Sequence, residues 1–293
     1  MIPVQVSATT RLAGVTGWPL GHTLSPVMHN AAYEAMGLDW IYVPLPVERS
    51  DDLGRLADAM RVLPFVGLNV TMPHKAKFAE LCDEVAPLAE AVGAVNVIQV
   101  VGGRLVGHNT DGQGLIDALA DEGGVSLDGR KVVLIGAGGA AASALAAIAG
   151  EGAASVAVVN RSVGNAERML ERLSGLMSRT RATAVPLGSE ARDWVEAADV
   201  IVNATPVGMT PEDGSPLPGD WLHEGQIAAD MIYSPAVTPL LAQALAAGAT
   251  AVGGLGMLVA QGARSIEIWS GRPGSAPRDV MRRAAESSAA SSG

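Results

Sequence analysis

Lysine is scarce in this 293-residue chain: three lysines stand against seventeen arginines. Two of the three, Lys75 and Lys77, sit together after the segment Gly67-Leu68-Asn69-Val70-Thr71-Met72-Pro73-His74. The chain uses arginine where a plain surface charge is wanted, so Lys75, directly after an apolar strand, invites a chemical reason. An ammonium group can be stripped of water and lose its proton, which a guanidinium cannot usefully do. Lys75 is therefore a candidate proton donor or acceptor for an alcohol–ketone couple. A solvated charge at a helix start is the plainer alternative. Asp111, in Gly107-His108-Asn109-Thr110-Asp111-Gly112, lies where one series of strands and helices gives way to a second. Ligand sites favour such junctions, and a carboxylate there could pair with Lys75 and hold a hydroxyl. It could equally be the N-cap of the next helix. Thr23 and Ser25 place two hydroxyls just before a helix, which suits a carboxylate ligand. Ser25 as N-cap with Pro26 at the first helical position is the bland reading, and both can hold.

A second cluster of signals concerns phosphate. Val132-Val133-Leu134-Ile135 runs into Gly136-Ala137-Gly138-Gly139-Ala140-Ala141. The first glycine permits a tight turn, and the second lets backbone approach a pyrophosphate. The small residue at 141 lets helix and strand pack closely. The strand–turn–helix context is what gives this pattern its weight. The next strand ends in Asn160-Arg161-Ser162 rather than in Asp or Glu. An acidic residue there would bind a ribose 2′-hydroxyl, whereas a guanidinium beside a hydroxyl suits a 2′-phosphate. NADP is thus favoured over NAD, with a merely solvated Arg161 as the alternative. Asn203-Ala204-Thr205-Pro206-Val207-Gly208-Met209 follows another apolar strand and would lie beside the cofactor.

The elements that must hold these residues alternate. Strands are expected at Leu12–Thr16, Trp40–Leu45 and Phe65–Val70, with helices at Pro26–Met36, Asp51–Val62 (Ser50 as N-cap) and Lys75–Cys82. Val95–Val101 and Arg104–His108, joined by Gly102-Gly103, read as a hairpin. A helix at Gly114–Glu122 leads to a second series: strands at Lys131–Ile135, Ser155–Asn160, Ala182–Val185, Val200–Asn203, Ile227–Asp230 and Ala249–Val252. Helices fall at Ala140–Ala149, Val163–Leu176, Pro239–Ala247 and Met257–Ser270, and the Ala/Ser tail from Glu286 is expected to fray. Alternation of this kind implies α/β architecture with a parallel sheet.

Composition sets limits. Apolar residues make up 48% and the net charge is −10, with no Lys/Arg cluster, which sets nucleic-acid binding aside. Cys82 is the single cysteine, read as a small apolar residue on a helix, and no Cys/His spacing suggests a metal. The N-terminus shows no signal-peptide pattern. Val132–Gly150 has the length of a membrane span, but its glycines sit at a strand–helix turn, so a membrane is not expected and the cytoplasm is.

These segments together resemble the shikimate dehydrogenase family (shikimate/quinate dehydrogenases). The resemblance runs from Gly14 to about Trp269. It is carried by Gly17-x-Pro19, His22-Thr23-x-Ser25-Pro26-x-x-His29-Asn30, Asn69-Val70-Thr71-Met72-Pro73-His74-Lys75 and Gly93-Ala94-Val95-Asn96. Further on come Asn109-Thr110-Asp111-Gly112, the glycine turn, Asn160-Arg161-Ser162, Asn203 to Met209, Asp230-x-x-Tyr233 and Gly254-x-x-Met257-Leu258-x-x-Gln261. The resemblance implies Lys75 and Asp111 as the catalytic pair. It implies Thr23, Ser25, Thr71, Asn96 and Gln261 on the substrate carboxylate and hydroxyls, with Tyr233 near the pocket. The cofactor would meet Gly136, Ala137, Gly138, Gly139, Ala140, Asn160, Arg161, Ser162, Thr205, Met209 and Gly254. The implied reaction is reversible reduction of 3-dehydroshikimate to shikimate by NADPH, in aromatic amino acid (chorismate) biosynthesis. The implied fold is a mixed- or parallel-sheet α/β substrate domain (1–110 with 253–293) and a Rossmann-type doubly wound dinucleotide domain (111–252). The small-molecule substrate is the expected partner, and a homodimer is the assembly considered.

Two residues depart from the family: Ser162 in place of the more frequent threonine is minor, and Thr23 matters. Thr23 stands where serine is usual, which keeps the hydroxyl but adds a methyl group and could bias the pocket towards a related acid such as quinate. The Asn160-Arg161-Ser162 strand end speaks against quinate, whose enzymes often favour NAD. Three rivals stand beside this reading: a quinate or aminoshikimate dehydrogenase, a dinucleotide-binding sensor without turnover, and a methylene-tetrahydrofolate-type dehydrogenase. Retention of both Lys75 and Asp111 argues against the sensor.

Overall fold

The computed structural model describes residues 6–290. The chain divides into two compact units. One runs to Thr110 and resumes at Gln261; the other is Asp111–Ala260.

The first unit contains β1 (Arg11–Thr16), α1 (Ser25–Ala35), β2 (Trp40–Pro44), α2 (Leu53–Val62), β3 (Phe65–Val70), α3 (Lys75–Ala79), β4 (Glu84–Val85), α4 (Pro87–Val92), β5 (Val97–Val101) and β6 (Arg104–His108). Its six strands form one mixed sheet in the order β2-β1-β3-β5-β6-β4. β1 lies parallel to β2 and β3, and β5 runs antiparallel to β3 and β6. β3 is buried along its whole length, which is why its sequence is apolar without alternation. Gly102 and Gly103 turn the β5–β6 hairpin with φ of 58° and 78°, two consecutive positive values that match the strand twist. Leu53, Ala57 and Met60 of α2 pack with Leu68, Phe78, Ala89 and Ile98 into one core.

In the second unit α5 (Asp111–Asp121) comes first. Then follow β7 (Lys131–Ile135), α6 (Gly139–Gly150), β8 (Ser155–Asn160), α7 (Val163–Leu173), β9 (Arg181–Pro186), α8 (Arg192–Glu196), β10 (Val200–Asn203), β11 (Ile227–Asp230), α9 (Pro239–Ala246) and β12 (Thr250–Val252). All six strands are parallel, in the order β12-β11-β10-β7-β8-β9. Counted from β7 this is 3-2-1-4-5-6, the doubly wound order, and it reverses direction between β7 and β10. The loops leaving those two strands therefore diverge, and a crevice opens at the carboxyl edge. α6 is apolar nearly all round because most of it is buried. It packs against α5 at Gly112, where a Cβ would lie 2.1 Å from the Ser143 carbonyl oxygen. The run 132–150 is thus a strand, a turn and a buried helix. Among the described residues no helix is long and apolar enough to cross a membrane.

The helix α10 (Gly254–Ser270) begins in the second unit and ends in the first, and α11 (Arg278–Ala290) returns to pack on α1. In the first unit Trp269 lies flat against Gly67 of β3, and its indole N–H donates to the Ile98 carbonyl at 2.9 Å. Beside it His29 stacks on Tyr42 at 4.1 Å.

Several expectations are corrected. The tail from Glu286 is helical to Ala290, because Met281 and Ala285 of α11 are buried and packing overrides composition. Ser50 caps no helix; its hydroxyl bonds His74 Nδ1 at 3.1 Å. Cys82 lies beyond the end of α3, with its thiol on the Phe78 carbonyl. α5 starts at Asp111 and α10 at Gly254, each three residues earlier than expected. In both cases glycines that look like loop allow a close approach: a Cβ on Gly254 would lie 2.5 Å from the Ile232 carbonyl carbon. The short β4, α4 and α8 are too brief to show a pattern, and α11 is masked by its charged, Ala/Ser-rich composition.

His29 is fully buried, its Nε2 has no hydrogen-bond partner, and burial holds its pKa at about 3. As pH falls through about 6.5 the unfolded chain takes up a proton on this residue, while the folded chain does not until about 3. The stability this residue lends is thus complete above about 6.5 and drains over that window. His29→Phe removes the proton uptake. In thermal melts from pH 7 to 4 the variant should lose less Tm than the parent chain; parallel slopes would show that His29 does not contribute.

Candidate active site

In the first unit a buried polar network links residues from distant parts of the chain. Asn69, near the end of β3, has a primary amide that cannot be left unpaired in the core. Its Oδ1 accepts from the Tyr42 hydroxyl at 2.8 Å, and its Nδ2 donates to the Asn96 carbonyl at 3.2 Å and to Ser265 Oγ at 2.9 Å. The Tyr42 oxygen also accepts from Ser25, and burial pushes its phenol well above the ordinary range. Asn96 Nδ2 donates to Thr110 Oγ1 at 3.0 Å and to Gln261 Oε1 at 3.4 Å, while the Thr110 N–H donates to Asn96 Oδ1 at 2.8 Å. Ser265 Oγ donates to the Gln261 carbonyl at 3.0 Å. Ser25, Asn96 and Gln261 are thereby brought into one network.

Thr23 and Ser25 are positioned by the start of α1. Leu24, not Ser25, is the cap residue, and Ser25 is already helical. The Ser25 N–H donates to Thr23 Oγ1 at 3.3 Å, so the hydroxyl that serves the helix start is that of Thr23. This corrects the expectation that Ser25 is the cap. Thr71 follows β3, with its N–H on the Thr16 carbonyl at 2.8 Å, and its methyl group crowds Gly17, where a Cβ would lie 2.3 Å away. His74 is fully buried at the start of α3, with Nε2 2.6 Å from the Val47 carbonyl. A carbonyl only accepts, so Nε2 carries the proton and Nδ1 accepts from Ser50. That double tie fixes the residue before Lys75. Lys75 is half-buried, and its carbonyl accepts from the Val95 N–H at 3.1 Å.

In the second unit Asp111 is the first residue of α5 and is buried. Gly136 follows β7 with φ of 113°, which favours glycine, and a Cβ there would meet the Thr205 methyl at 3.0 Å and the Ala204 carbonyl at 3.1 Å. Gly138 and Gly139 are exposed, with open space where a side chain would stand. Gly138 is the N-cap of α6 and supplies no side-chain bond, so the first-turn N–H groups face that space. Ala137 and Ala140 flank it, half-buried. Such a bare cradle at the switch point suits a pyrophosphate. Arg161 and Ser162 are exposed beyond β8, and Asn160 Nδ2 donates to the Ser162 carbonyl at 2.8 Å.

The β10 end is as tightly tied. Thr205 donates its hydroxyl to Asn203 Oδ1 at 2.7 Å, and its N–H reaches the same oxygen at 3.1 Å. Met209 is exposed past Gly208. Asp230, in register with Asn203, is buried, and loss of water pushes its carboxyl up while bonds from Thr238, Ile232 and Asn203 pull it down. Burial likewise raises the Tyr233 phenol, and the Gly254 N–H donates to the Ile232 carbonyl at 3.2 Å. Among the described residues no group of three or more His, Cys, Asp or Glu could hold a metal. Reading residue by residue did not single out Tyr42, Ser265 or Thr238. Their partners lie 8 to 196 positions away, and no local pattern announces them.

Comparison with known proteins is consistent along the chain. The shikimate dehydrogenase substrate binding domain matches residues 15–98, the shikimate / quinate 5-dehydrogenase model residues 118–208, and the shikimate 5′-dehydrogenase C-terminal domain residues 254–286. The shikimate dehydrogenase (NADP(+)) of Geobacter metallireducens is 43% identical over 281 residues, 96% of this chain and 97% of that one. The chain belongs to the shikimate dehydrogenase family. Within that family it superimposes on the Listeria monocytogenes shikimate 5-dehydrogenase, solved with shikimate and NAD, with a TM-score of 0.88 at 34% identity, covering 95% of this chain and 97% of that one. The Thermus thermophilus enzyme, solved with NADP(H) and shikimate, gives 0.82 at 36% identity, over 94% and 99%. The two α/β units with a doubly wound sheet in the second are thus the family architecture.

Proposed function

We propose that this chain catalyses the reversible reduction of 3-dehydroshikimate to shikimate with NADPH, as a step towards aromatic compounds. The observation that carries the reading is a pairing within one chain. A buried network ends on Ser25, Asn96 and Gln261, and a bare glycine cradle lies beside Thr205 with Arg161, not a carboxylate, at the next strand end.

In this reading the first unit binds substrate and the second binds NADP. Thr23 and Ser25 take the substrate carboxylate, and Thr71, Asn96 and Gln261 take its hydroxyls, with Tyr233 near the ring. When bound, NADPH supplies a hydride to C3 of the ring. Lys75 gives the proton to the carbonyl oxygen in that direction and takes it back in the other. Asp111 accepts a hydrogen bond from the substrate hydroxyl. Gly136 to Ala140 and the first turn of α6 hold the pyrophosphate, and Asn160, Arg161 and Ser162 read the 2′-phosphate. Met209 and Gly254 complete the cofactor side. The Thr23 hydroxyl oxygen already accepts from the Ser25 N–H, so its methyl group is held beside the carboxylate site. A cytoplasmic homodimer is part of the same proposal.

The test is turnover with shikimate or quinate paired with NADP or NAD. Activity concentrated in the shikimate–NADP pair is expected; preference for quinate would move the substrate assignment to that acid, with Thr23 the first residue to revert. Lys75→Ala should lower kcat by about a hundredfold or more, with NADP affinity within about twofold of the parent. Near-normal turnover in that variant would remove Lys75 from the proton transfer. Arg161→Ala should weaken NADP about tenfold or more and leave NAD nearly unchanged; equal losses for both cofactors would show that Arg161 does not read the 2′-phosphate.

A further inference from the structure

Asn203 ends β10, paired in register with Ile135 on one side and with Asp230 on the other. Its side chain is fully buried. The oxygen accepts twice from Thr205, through the hydroxyl at 2.7 Å and the N–H at 3.1 Å. The nitrogen donates to the Val207 carbonyl at 3.1 Å and to Asp230, 3.1 Å from one carboxylate oxygen and 3.2 Å from the other. An amide flipped by half a turn would set its NH2 against two Thr205 donors and its oxygen against the Val207 carbonyl. The Asp230 carboxylate, which only accepts when ionised, opposes the flip together with the Thr205 N–H and the Val207 carbonyl. It is itself fixed by the Thr238 hydroxyl at 2.7 Å and the Ile232 N–H at 3.0 Å. At the other end of this chain of bonds the Thr205 hydroxyl also accepts from the Val207 N–H at 3.2 Å. Every polar bond of that side chain therefore points inward, and its methyl group rests against Gly136.

We infer that Asp230 is a positioning residue for the cofactor: it locks the Asn203 carboxamide in one orientation and thereby sets Thr205 against the phosphate-loop glycine. Thr205 acts here through its shape and its fixed backbone. The inference rests on the second unit being the NADP site.

Asp230→Asn isolates the lock. The new amide keeps an oxygen for the Ile232 N–H, and its NH2 can donate to the Thr238 hydroxyl, so the start of α9 is preserved. Towards Asn203 Nδ2 it replaces a carboxylate shared between two oxygens by one neutral oxygen beside a donor, which weakens the lock. NADP affinity, read by titration calorimetry, should fall about tenfold, with a matching rise in the NADP KM. The kcat at saturating NADP and the shikimate KM should stay within about twofold of the parent chain. Thr238→Val removes one of the bonds that fix Asp230 but leaves Asn203 its carboxylate, so it should cost less NADP affinity than Asp230→Asn. Parent-like NADP binding in Asp230→Asn, or an equal loss in Thr238→Val, overturns the inference while leaving the functional reading intact. A parent chain that binds no NADP overturns the functional reading, and the inference with it. If Asp230→Asn does not fold by circular dichroism, Thr205→Val carries the test. It keeps the methyl group and removes the hydroxyl bond from Thr205 to Asn203, so an undiminished affinity there overturns the inference.

Discussion

A primary amide buried at the end of a central strand has two donors and two acceptor positions to fill, and water is not there to fill them. Both units of this chain are organised around such an amide. In the first, Asn69 binds Tyr42, Asn96 and Ser265; in the second, Asn203 binds Thr205, Val207 and Asp230. Each draws together segments that are far apart in sequence. Each also makes the position of nearby loops a matter of hydrogen-bond complementarity, which tolerates no half measures: a mismatched donor costs more than a matched one contributes.

This constraint explains why the sites can be bare. The glycine turn after β7 offers backbone and open space, with little side-chain substance of its own. Its shape comes from what lies behind it, the Thr205 methyl and the Ala204 carbonyl, and these are held from β10. In the first unit Ser25 and Gln261 depend on Tyr42, Asn69 and Ser265 in the same way. Residues proposed to touch ligand stand on residues that touch only protein.

Much of the second unit was legible because its signals are local. An apolar run of strand length, three glycines and an Ala-rich helix fall within twenty residues, and each element permits only one reading beside the others. The residue pair 160–161 named the cofactor by the same local logic. What stayed hidden depends on register and packing. Ser25 looked like a cap, but Thr23 does that work because the helix begins one residue earlier. The glycines at 112 and 254 looked like loop, but Gly112 seats α5 on α6 and Gly254 lets α10 start against the Ile232 backbone. The Ala/Ser tail looked frayed, yet the face bearing Met281 and Ala285 is what α1 needs to be covered. Tyr42 and Asn69 are 27 positions apart and meet only because β2 and β3 flank β1.

The seating of Trp269 on Gly67 has an optical consequence. Of the five tryptophans, Trp18 and Trp194 are exposed and Trp40 is half-buried, whereas Trp269 and Trp221 are shielded from water. One of the shielded pair belongs to each unit. An indole in a dry, packed setting emits at shorter wavelength than one in water, so each unit carries its own internal lamp. With Trp221 silenced, the colour of the remaining shielded emission follows the sheet of the first unit alone, and with Trp269 silenced it follows the second. The chain thus comes equipped to report, without any added label, whether its two halves come apart together or in turn.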